Sequence, residues 1–403
     1  MKIILLLLIL IGCNMANAQW IQLNSGTAES LNEILFPTAD TGYVVGNNGT
    51  VLKTTDGGAN WNSLSTGFNV NFHELYFISA YEGWVVGDSG SVCHTTNGGL
   101  GWNCSFPDSA QKINLHSVFA LNSNTVLIGG VNNSNEGYLA KTTNGGSSWQ
   151  IANLESYIWD VDIKKIGLVN DTTGYAITRG YVLKTSDSGA NWYITDTASV
   201  HAGEMFNVLE DLAFFPNNDT LYVCGWYGGY FGKTVNGGDG WQHNNSIGYQ
   251  NYNLDFINTQ TGYIGGWGQV HKTTDGGATF VDASGGSSDL FWDIYSIDFT
   301  DEWTGYACGD NGKILKTGNG GTTSVQQFSD SKPTITVYPN PTTGKINFSV
   351  HTNLQLTNLT GKIIADRKNV NTLDLSEQPA GIYFIALTDN NGQVVQRSKI
   401  TKE

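Results

Sequence analysis

The sequence predicts an all-β fold, and three observations carry the prediction. Fifty glycines, only seven prolines, twelve tryptophans and eighteen tyrosines among 403 residues are typical of aromatic-rich strands joined by tight turns. A nine-residue pattern, first seen as "KTTDGGANW" at 53–61, recurs along most of the chain. Near the end this pattern stops, and alternating segments separated by Pro-Asn and glycine turns replace it. We therefore expect a large repeat domain followed by a small immunoglobulin-like antiparallel β-sandwich.

The first segment is typical of a secretory signal. Lys2 precedes the apolar run "IILLLLILIG", and "ANA" stands before Gln19, which predicts a signal peptide over 1–18. The run is too short to span a membrane, so no transmembrane segment is expected in the mature chain. An alternative is a lipoprotein signal, because "LIGC" ending at Cys13 resembles a lipobox. Both interpretations take the protein out of the cytoplasm.

The recurring pattern sets the architecture of residues 19–324. Its seven copies occupy 53–61, 94–102, 141–149, 184–192, 233–241, 272–280 and 316–324. The last positions of successive copies are 39 to 49 residues apart, a period near that of four-stranded propeller blades. The sequence therefore predicts a seven-bladed β-propeller.

The Asp or Asn in each copy is predicted to be structural. A short Asp or Asn side chain accepts backbone N–H bonds in a hairpin turn, and glycine supplies a positive φ. Asn replaces Asp in four copies, which a catalytic acid could not tolerate. The positions are Asp56, Asn97, Asn144, Asp187, Asn236, Asp275 and Asn319.

Closure of the ring is predicted from the two ends of this region. The seventh copy ends in Ser324, where the others have Trp or Phe, while "WIQLNSG" beginning at Trp20 resembles "WNSLSTG" beginning at Trp61. We expect Trp20 to supply the missing aromatic ring, and the N-terminal strand to complete the last blade. Such closure removes two exposed strand edges.

The cysteines suggest one disulfide. Cys93 and Cys104 flank one copy of the pattern at positions where two hairpin strands would face each other, so a disulfide is possible there in an oxidising compartment. Cys224 and Cys308 lie in non-adjacent repeats and are expected to be buried thiols. No cysteine spacing resembles a zinc site.

The recurring pattern resembles the Asp-box, or BNR repeat, and "TGYVVGNNGTVLKTTDGGANW" resembles the photosystem II stability/assembly factor-like propellers. It is more distantly similar to sortilin-type and xyloglucanase propellers, and sialidases share the Asp-box. Sialidases need three arginines for the substrate carboxylate, whereas Arg179 is the lone arginine between residues 20 and 324. Sialidase chemistry is therefore excluded, and the basic surface of the photosystem factors is missing.

The C-terminal segment has its own resemblance. After a polar linker at 325–333, the landmarks "VYPNP", "TGK" and "PAGIY" and a closing Lys-Ile strand resemble the type A sorting domain of the type IX secretion system, here 334–403. The resemblance implies export through that secretion machinery, followed by release or attachment at the outer-membrane surface. It also makes the lipobox interpretation less attractive. A generic immunoglobulin-like stalk is the alternative.

Charge and residue placement suggest a ligand face on the propeller. Residues 20–324 hold ten lysines and one arginine against 29 acidic residues, a formal charge of −18, which disfavours nucleic acid as a partner. The expected starts of the channel-lining strands carry mostly acidic side chains, and aromatic residues lie nearby. The candidate ligand-binding residues are Glu33, Glu74, His116, Asp160, Asp211 and Asp293, with Trp159, Trp226 and Trp292. A cation or basic peptide could bind there, and a solvated acidic funnel without a ligand is the alternative.

No sequence motif identifies a catalytic residue, a metal site or a cofactor. There is no "GxSxG", phosphate loop or His-rich metal motif. We therefore expect a non-enzymatic module that binds an extracellular protein or glycan. The alternative is a xyloglucanase-like glycoside hydrolase that uses carboxylates on the propeller face.

Overall fold

The structure is a computed structural model of the chain. It describes 20–107, 112–154, 162–195, 209–216, 218–244, 247–248, 250–285, 294–321, 337–339, 342–358, 363–379, 381–388 and 394–402. The predicted signal peptide and linker therefore lie outside the described residues. Two compact units, Met1–Val325 and Gln326–Glu403, are described separately. The described helices are 3-10 turns of three residues, too short to cross a bilayer, and the all-β prediction is confirmed.

Within 20–321, the described strands form seven antiparallel sheets, which we number along the chain. Sheets 1 to 4 are built from consecutive strands, and sheet 4 gains one parallel strand, β14, from the preceding segment. Sheet 1 comprises β2 (Leu31–Leu35), β3 (Gly42–Gly46), β4 (Val51–Thr54) and β5 (Asn62–Leu64), and sheet 2 comprises β6 (Phe72–Phe77), β7 (Gly83–Gly87), β8 (Val92–Thr95) and β9 (Asn103–Ser105). Sheet 3 comprises β10 (Ile113–Ala120), β11 (Val126–Asn132), β12 (Gly137–Thr142) and β13 (Gln150–Ile151), and sheet 4 comprises β14 (Asn153–Leu154), β15 (Lys165–Leu168), β16 (Gly174–Ile177), β17 (Val182–Thr185) and β18 (Asn191–Ile194).

Sheets 5 and 6 repeat this plan, and sheet 7 takes its outer strand, β1, from the start of the chain. Sheet 5 comprises β19 (Leu209–Phe214), β20 (Leu221–Gly225), β21 (Tyr230–Thr234) and β22 (Gln242–Asn244). Sheet 6 comprises β23 (Asn251–Phe256), β24 (Gly262–Gly266), β25 (Gln269–Thr273) and β26 (Val281–Asp282). Sheet 7 comprises β27 (Ile294–Phe299), β28 (Gly305–Gly309), β29 (Ile314–Thr317) and β1 (Ile21–Leu23).

The second strand of each sheet is buried on both faces. All five residues of Gly42–Gly46 are buried, because the neighbouring sheets pack against both sides of β3. The strand is therefore rich in small and β-branched residues and does not alternate between apolar and polar side chains. Gly42 has no room for a Cβ, since the ring of Phe36 covers it.

The sheets are joined into a ring by their first strands, which we call the inner strands: β2, β6, β10, β15, β19, β23 and β27. Sheet 7 meets sheet 1 where the backbone N–H of Ile34 donates to Oγ of Ser296 at 3.2 Å. The predicted role of the N-terminal strand is confirmed, because Ile21 pairs with Lys316 in β29. Trp20 is fully buried, and its Nε1 donates to the carbonyl of Ala283 at 3.0 Å.

The recurring turns use the Asp or Asn side chain as a hydrogen-bond acceptor. Oδ1 of Asp56 accepts from Oγ1 of Thr54 at 2.8 Å and from the backbone N–H of Asn60 at 2.9 Å. Oδ1 of Asn97 accepts the corresponding bonds at 3.0 Å and 2.9 Å. An amide oxygen and a carboxylate oxygen are equivalent here, which explains why both residues occur in the copies.

A lysine and a tyrosine join most of these turns to the preceding sheet. Nζ of Lys53 donates to the carbonyl of Gly98 at 2.8 Å and lies 5.1 Å from the ring centroid of Tyr43. Nζ of Lys316 reaches the carbonyl of Gly57 in the same way, which joins sheet 7 to sheet 1. The lysines therefore fasten neighbouring sheets at the outer part of the ring.

Cys93 and Cys104 form a disulfide with an S–S distance of 2.07 Å. They are paired residues of β8 and β9, so the bond fixes the outer edge of sheet 2. Cys224 and Cys308 are free and buried in separate sheets. Burial raises the pKa of both thiols well above the ordinary value, so they are unreactive packing residues.

The second unit is a compact antiparallel β-structure. Its described strands are β30 (Val337–Tyr338), β31 (Lys345–Asn358), β32 (Ile363–Asp374), β33 (Gly381–Thr388) and β34 (Val394–Lys402). They run in the order β30, β31, β33, β34, and β32 also pairs with β31. Leu356, Ile385 and Ile400 lie in its core. An immunoglobulin-like sandwich stays a prediction for this unit.

Trp20→Ala is expected to lower the free energy of unfolding of the Gln19–Glu403 chain by about 3–5 kcal/mol, since it removes a fully buried indole and opens a cavity. Chemical denaturation measures this change. The control is Ile21→Ala in the same strand, whose side chain is 63% exposed and whose loss should stay within about 0.5 kcal/mol. Equal effects of the two substitutions would contradict the role of Trp20 in closing sheet 7.

Candidate functional site

A cavity of about 320 Å³ opens at the end of the channel where the inner strands begin. All seven inner strands, or the residues directly before them, contribute to its lining. We call this cavity the mouth. It is the end of the channel at which the sequence places the candidate ligand face.

Bulges in the inner strands determine which side chains reach the mouth. In six inner strands, the pairing with the next strand shifts by one residue. In β6 the extra residue is His73, and both His73 and Glu74 line the mouth. A bulge inserts one additional residue and bends the strand, so two successive side chains can point into the channel. Each of these six strands thus supplies a rim residue followed by a floor residue, and in sheet 4 Lys164 and Lys165 take the two positions.

The floor is a mixed layer, which differs from the acidic ring expected from the sequence. Its members follow the rim residues directly in the chain; they are Glu33, Glu74, Ser117, Lys165, Asp211, Asn253 and Ser296. His116 is the extra residue of its bulge and belongs to the rim, so Ser117 takes the floor position. The inner strand of sheet 4, β15, begins at Lys165, five residues after Asp160. Asp160, Asp293, Trp159 and Trp292 lie outside the described residues.

Lys165 is the centre of the floor, and the sequence analysis did not identify it. Its Nζ lies 2.6 Å from Oε1 of Glu74, 3.4 Å from Oε1 of Glu33 and 3.6 Å from Oδ1 of Asp211. These carboxylates belong to sheets 2, 1 and 5, whereas Lys165 belongs to sheet 4. The four side chains therefore connect opposite sides of the channel.

The burial of the floor changes the protonation of its groups. Burial raises the pKa of Glu33 to about 8, and it also raises the pKa values of Glu74 and Asp211. Burial alone would lower the pKa of Lys165, but the surrounding carboxylates hold it well above the ordinary value. Lys165 is thus charged at neutral pH and compensates the buried acids.

Two of the floor carboxylates are also fastened to the backbone. Oε2 of Glu74 accepts the N–H of Val118 at 2.6 Å. Oδ2 of Asp211 accepts the N–H of Leu254 at 2.9 Å and the side-chain amide of Asn253 at 2.6 Å. These oxygens hold adjacent inner strands together and are not free for proton transfer to a substrate.

The rim carries a network of ionic contacts on one side. Nδ1 of His116 lies 2.6 Å from Oδ1 of Asp162, and Nζ of Lys164 lies 3.2 Å from Oδ2 of the same carboxylate. Burial opposes ionisation of Asp162, but the hydrogen bonds and charges of His116 and Lys164 lower its pKa to about 2. Arg179 is close to the same group, with 4.0 Å between Nε and Oδ2. This side of the rim is polar and charged.

The other side of the rim is aromatic. Trp226 is 43% exposed, and its Nε1 donates to the hydroxyl of Tyr252 at 3.2 Å. The rings of Tyr252 and Tyr295 are 6.2 Å apart in an edge-on arrangement. Trp267 lies in the corresponding turn of sheet 6, between β24 and β25, and its side chain is 53% exposed. The sequence analysis missed Tyr252, Tyr295 and Trp267; the available signal was an aromatic residue directly before a floor position in "NYN" and "IYS".

Metal binding has no geometric support at the mouth. Across the part of the chain that the structure describes, no group of three or more His, Cys, Asp or Glu side chains is placed to hold a metal ion. The arrangement instead offers charged groups and aromatic rings around one cavity, which suits recognition of a polar ligand through stacking and hydrogen bonds.

Lys165→Met is expected to lower the free energy of unfolding by about 3–5 kcal/mol at pH 8, because it leaves buried carboxylates without their cation. Removal of Lys165 raises the folded-state pKa values of Glu33, Glu74 and Asp211 further. A group with a raised folded pKa contributes stability below its unfolded pKa and loses it as the pH rises through the folded pKa.

Denaturant titrations between pH 4.5 and pH 8 test the Lys165→Met prediction. The loss relative to the unmodified chain should be largest at pH 8 and smaller at acidic pH. Lys164→Met is the matched control, since Lys164 contacts Asp162 at the rim and no floor carboxylate in the described contacts. A loss that does not depend on pH would contradict the assigned role of Lys165.

Comparisons with known proteins agree with both parts of the architecture. Residues 13–153 match the family model described as photosynthesis system II assembly factor YCF48. Residues 336–402 match the model described as secretion system C-terminal sorting domain. No curated protein matches the chain.

Among solved structures, the chain is similar to YCF48 bound to D1 peptide, with 20% identity, a TM-score of 0.59 and coverage of 74% of this chain and 96% of that chain. YCF48 from Cyanidioschyzon merolae gives 23% identity, a TM-score of 0.59 and coverages of 74% and 99%. A GH74 enzyme from Niastella koreensis gives 14% identity, a TM-score of 0.60 and coverages of 94% and 67%. At these identities the similarity shows the β-propeller fold alone.

The sorting-domain match indicates export by the type IX secretion system, with secretion or attachment at the outer-membrane surface. The predicted resemblance of the two regions is confirmed. The chain therefore combines a β-propeller similar to YCF48 with a secretion system C-terminal sorting domain.

Proposed function

We propose that the protein is an exported interaction module that binds an extracellular protein or glycan at the mouth of its propeller, and that it has no catalytic activity. The observation that carries the proposal is the composition of the mouth. Exposed Trp226 and half-buried Tyr252 lie on one side. The hydrogen-bonded pair of His116 and Asp162 lies on the other. Such a surface provides stacking, hydrogen bonds and charge contacts around one cavity.

The floor carboxylates favour binding over hydrolysis. A glycoside hydrolase needs a proton donor and a second carboxylate placed on the two sides of the scissile bond. Glu74 and Asp211 instead accept backbone N–H groups and contact Lys165. Their hydrogen bonds support a structural role, so the mouth recognises its ligand chiefly through the rim.

A peptide-binding precedent exists for a propeller of this fold. One similar structure is described as YCF48 bound to D1 peptide, so this type of propeller can present a surface to a peptide. The precedent supports a binding role for the present chain. It does not transfer the particular partner, because the two propellers are 20% identical.

Residues 334–403 are proposed to contact the type IX secretion machinery. The match to the sorting-domain model covers 336–402. The formal charge of 325–403 is +2, against −18 for 20–324, so the two regions differ in the surfaces that they offer to partners. Export and ligand binding are thus assigned to separate parts of the chain.

A glycoside hydrolase is the second candidate function. The similarity to the Niastella koreensis GH74 enzyme covers 94% of this chain, and that observation favours testing glycan cleavage directly. The candidate carboxylates for such an activity are Glu74 and Asp211 in the floor, with Asp160 and Asp293 outside the described residues.

Trp226→Ala is expected to weaken binding to a glycan or surface-protein ligand by about 10-fold or more, since an exposed aromatic ring at a binding site is a typical hot spot. Glycan arrays and pull-downs from the cell surface identify the ligand, and titration of the purified chain measures the affinity. Trp303→Ala is the control, because Trp303 is 52% exposed but lies after an inner strand, at the opposite face. Release of reducing ends from a bound glycan would support the hydrolase, and equal effects of both substitutions would contradict binding at the mouth.

Deletion of 334–403 is expected to retain the propeller in the periplasm of a host with type IX secretion, because the deletion removes the sorting domain. Cell fractionation with immunoblotting measures the distribution. The full chain carrying Trp226→Ala should reach the outside normally. Unchanged export of the truncated chain would contradict the role assigned to these residues.

A further inference from the structure

A second cavity, of about 440 Å³, lies at the other end of the channel. All seven inner strands line it, through residues at the floor positions and after them. The Asp-box turns lie at this end of the channel. The backbone N–H groups of Gly57 and Gly98, in two of these turns, donate to the backbone carbonyls of Asp40 and Tyr81, which lie in loops that follow inner strands. We call this second cavity the lower pocket.

The lower pocket has two chemically different sides. The residues two positions after the floor residues form its next layer, because side chains alternate along a strand. In ring order from sheet 1 to sheet 7 they are Leu35, Tyr76, Phe119, Gly167, Ala213, Asp255 and Asp298. Sheets 2 and 3 therefore contribute aromatic rings, and sheets 6 and 7, across the ring, contribute carboxylates.

The aromatic side is a packed cluster. Tyr76 and Phe119 have ring centroids 5.0 Å apart, and Phe119 and Phe214 have centroids 5.8 Å apart. Phe214 reaches this cluster from sheet 5 by crossing Gly167 of sheet 4, where a Cβ would collide with the ring. The absence of a side chain at Gly167 thus extends the aromatic wall over three sheets.

Each carboxylate on the opposite side uses only one oxygen in a hydrogen bond. Oδ2 of Asp255 accepts the N–H of Phe299 at 2.6 Å, and Oδ2 of Asp298 accepts the N–H of Phe36 at 2.9 Å. In the described part of the structure, no hydrogen bond reaches Oδ1 of either residue. Both residues line the lower pocket.

The backbone hydrogen bonds at these two positions do not require a carboxyl group. One layer above, the N–H of Ile297 is satisfied by Oδ1 of Asn253, a neutral amide, at 2.9 Å. An asparagine at 255 or 298 could accept the same kind of bond without the cost of a buried charge. Burial raises the pKa of Asp255 to about 7, and burial together with Asp255 raises the pKa of Asp298 well above its ordinary value. The carboxylates therefore reduce the stability of the empty protein.

We propose that the lower pocket binds an organic cation, a primary amine or guanidinium carried on an apolar stem. The stem packs against Tyr76, Phe119 and Phe214, and the nitrogen contacts Oδ1 of Asp255 and Asp298. A cation so placed gains charge-assisted hydrogen bonds as well as contact with aromatic rings. The volume of the pocket is in the range of small-ligand sites.

The neighbouring cation does not prevent this binding. Lys165 lies in the floor, the layer shared by the mouth and the lower pocket, where Glu33, Glu74 and Asp211 surround its ammonium group. The charge of Lys165 is thus already compensated by neighbouring acids. The proposal is independent of the ligand at the mouth, which lies at the other end of the channel.

Titration calorimetry of the Gln19–Glu403 chain with benzylamine and benzyl alcohol tests the proposal, because these ligands share a ring and differ in charge. Benzylamine should bind at least about 10-fold more tightly at pH 8, as expected for a charge-assisted bond. Asp255→Asn and Asp298→Asn should each weaken the binding of benzylamine by about 10-fold, because each substitution removes one ionic contact. Benzylamine binding at pH 6.5 should release protons, measured in buffers of different ionisation enthalpy.

Asp239→Asn is the matched control, since it removes one negative charge from an exposed turn on the same face. It should leave the benzylamine affinity unchanged. Unfolding free energies of the two pocket variants at pH 8 should equal or exceed that of the unmodified chain, which separates lost binding from lost folding. Equal affinity for the two ligands, no binding of either, or unchanged binding in both pocket variants would overturn the proposal.

A second pair of probes distinguishes the source of the cation. Acetyl-Gly-Lys-Gly-amide and its norleucine analogue differ in the ammonium group alone. Binding of the lysine peptide, with loss in Asp255→Asn, would identify the side chain of a partner protein as an occupant. Binding of benzylamine without the peptide would identify a free amine and supports the proposal equally.

Discussion

In five of the seven sheets, a polar side chain of the floor accepts a backbone N–H from the next inner strand. An inner strand has a sheet partner on one side only, so its other row of N–H groups faces the channel and would be buried without partners. Ser117, Asn253 and Ser296 satisfy the N–H groups of Ile166, Ile297 and Ile34. Because an unsatisfied buried N–H costs about 1–3 kcal/mol, this constraint selects short polar or acidic residues at the floor. The polar channel is thus first a requirement of the fold.

A second set of contacts meets the corresponding requirement at the outside of the ring. Lysines next to the recurring turns donate to carbonyls in the following sheet, and tyrosines of the second strands reach the same region; Tyr306 and Lys316 both donate to Gly57. Together with β1, these contacts join the last sheet to the first. The inner and outer fastenings use different residue types because the channel offers N–H groups, whereas the turns present carbonyl oxygens.

Sequence alone predicted the parts of the fold that local chemistry determines. The recurring turn carries its own hydrogen-bond acceptor, so "KTTDGGANW" identifies each sheet, and Trp20 identifies the strand that closes the last one. The channel was less predictable, because its side chains depend on bulges and strand starts that arise from packing between distant segments. A one-residue shift in strand pairing puts Ser117 at the floor position that the sequence assigned to His116. The inner strand of sheet 4 begins at Lys165, five residues after the predicted position Asp160. Asp255 and Asp298 were not identified, because the segments "LDF" and "IDF" that contain them indicate only the apolar ends of strands.

The two ends of the channel differ because one layer separates them. Lys165 and its three carboxylates connect sheets on opposite sides and form a boundary common to the mouth and the lower pocket. At the mouth, aromatic and polar groups lie on an open rim, where we propose that the propeller binds its partner. In the lower pocket, Asp255 and Asp298 supply ionisable carboxyl groups where an amide could accept the same backbone N–H, and burial raises the pKa values of both. Ionisable groups that reduce stability beyond what the fold requires are characteristic of binding sites, and the position of Asp255 and Asp298 beneath the Lys165 layer supports the proposal of two sites with separate chemistry.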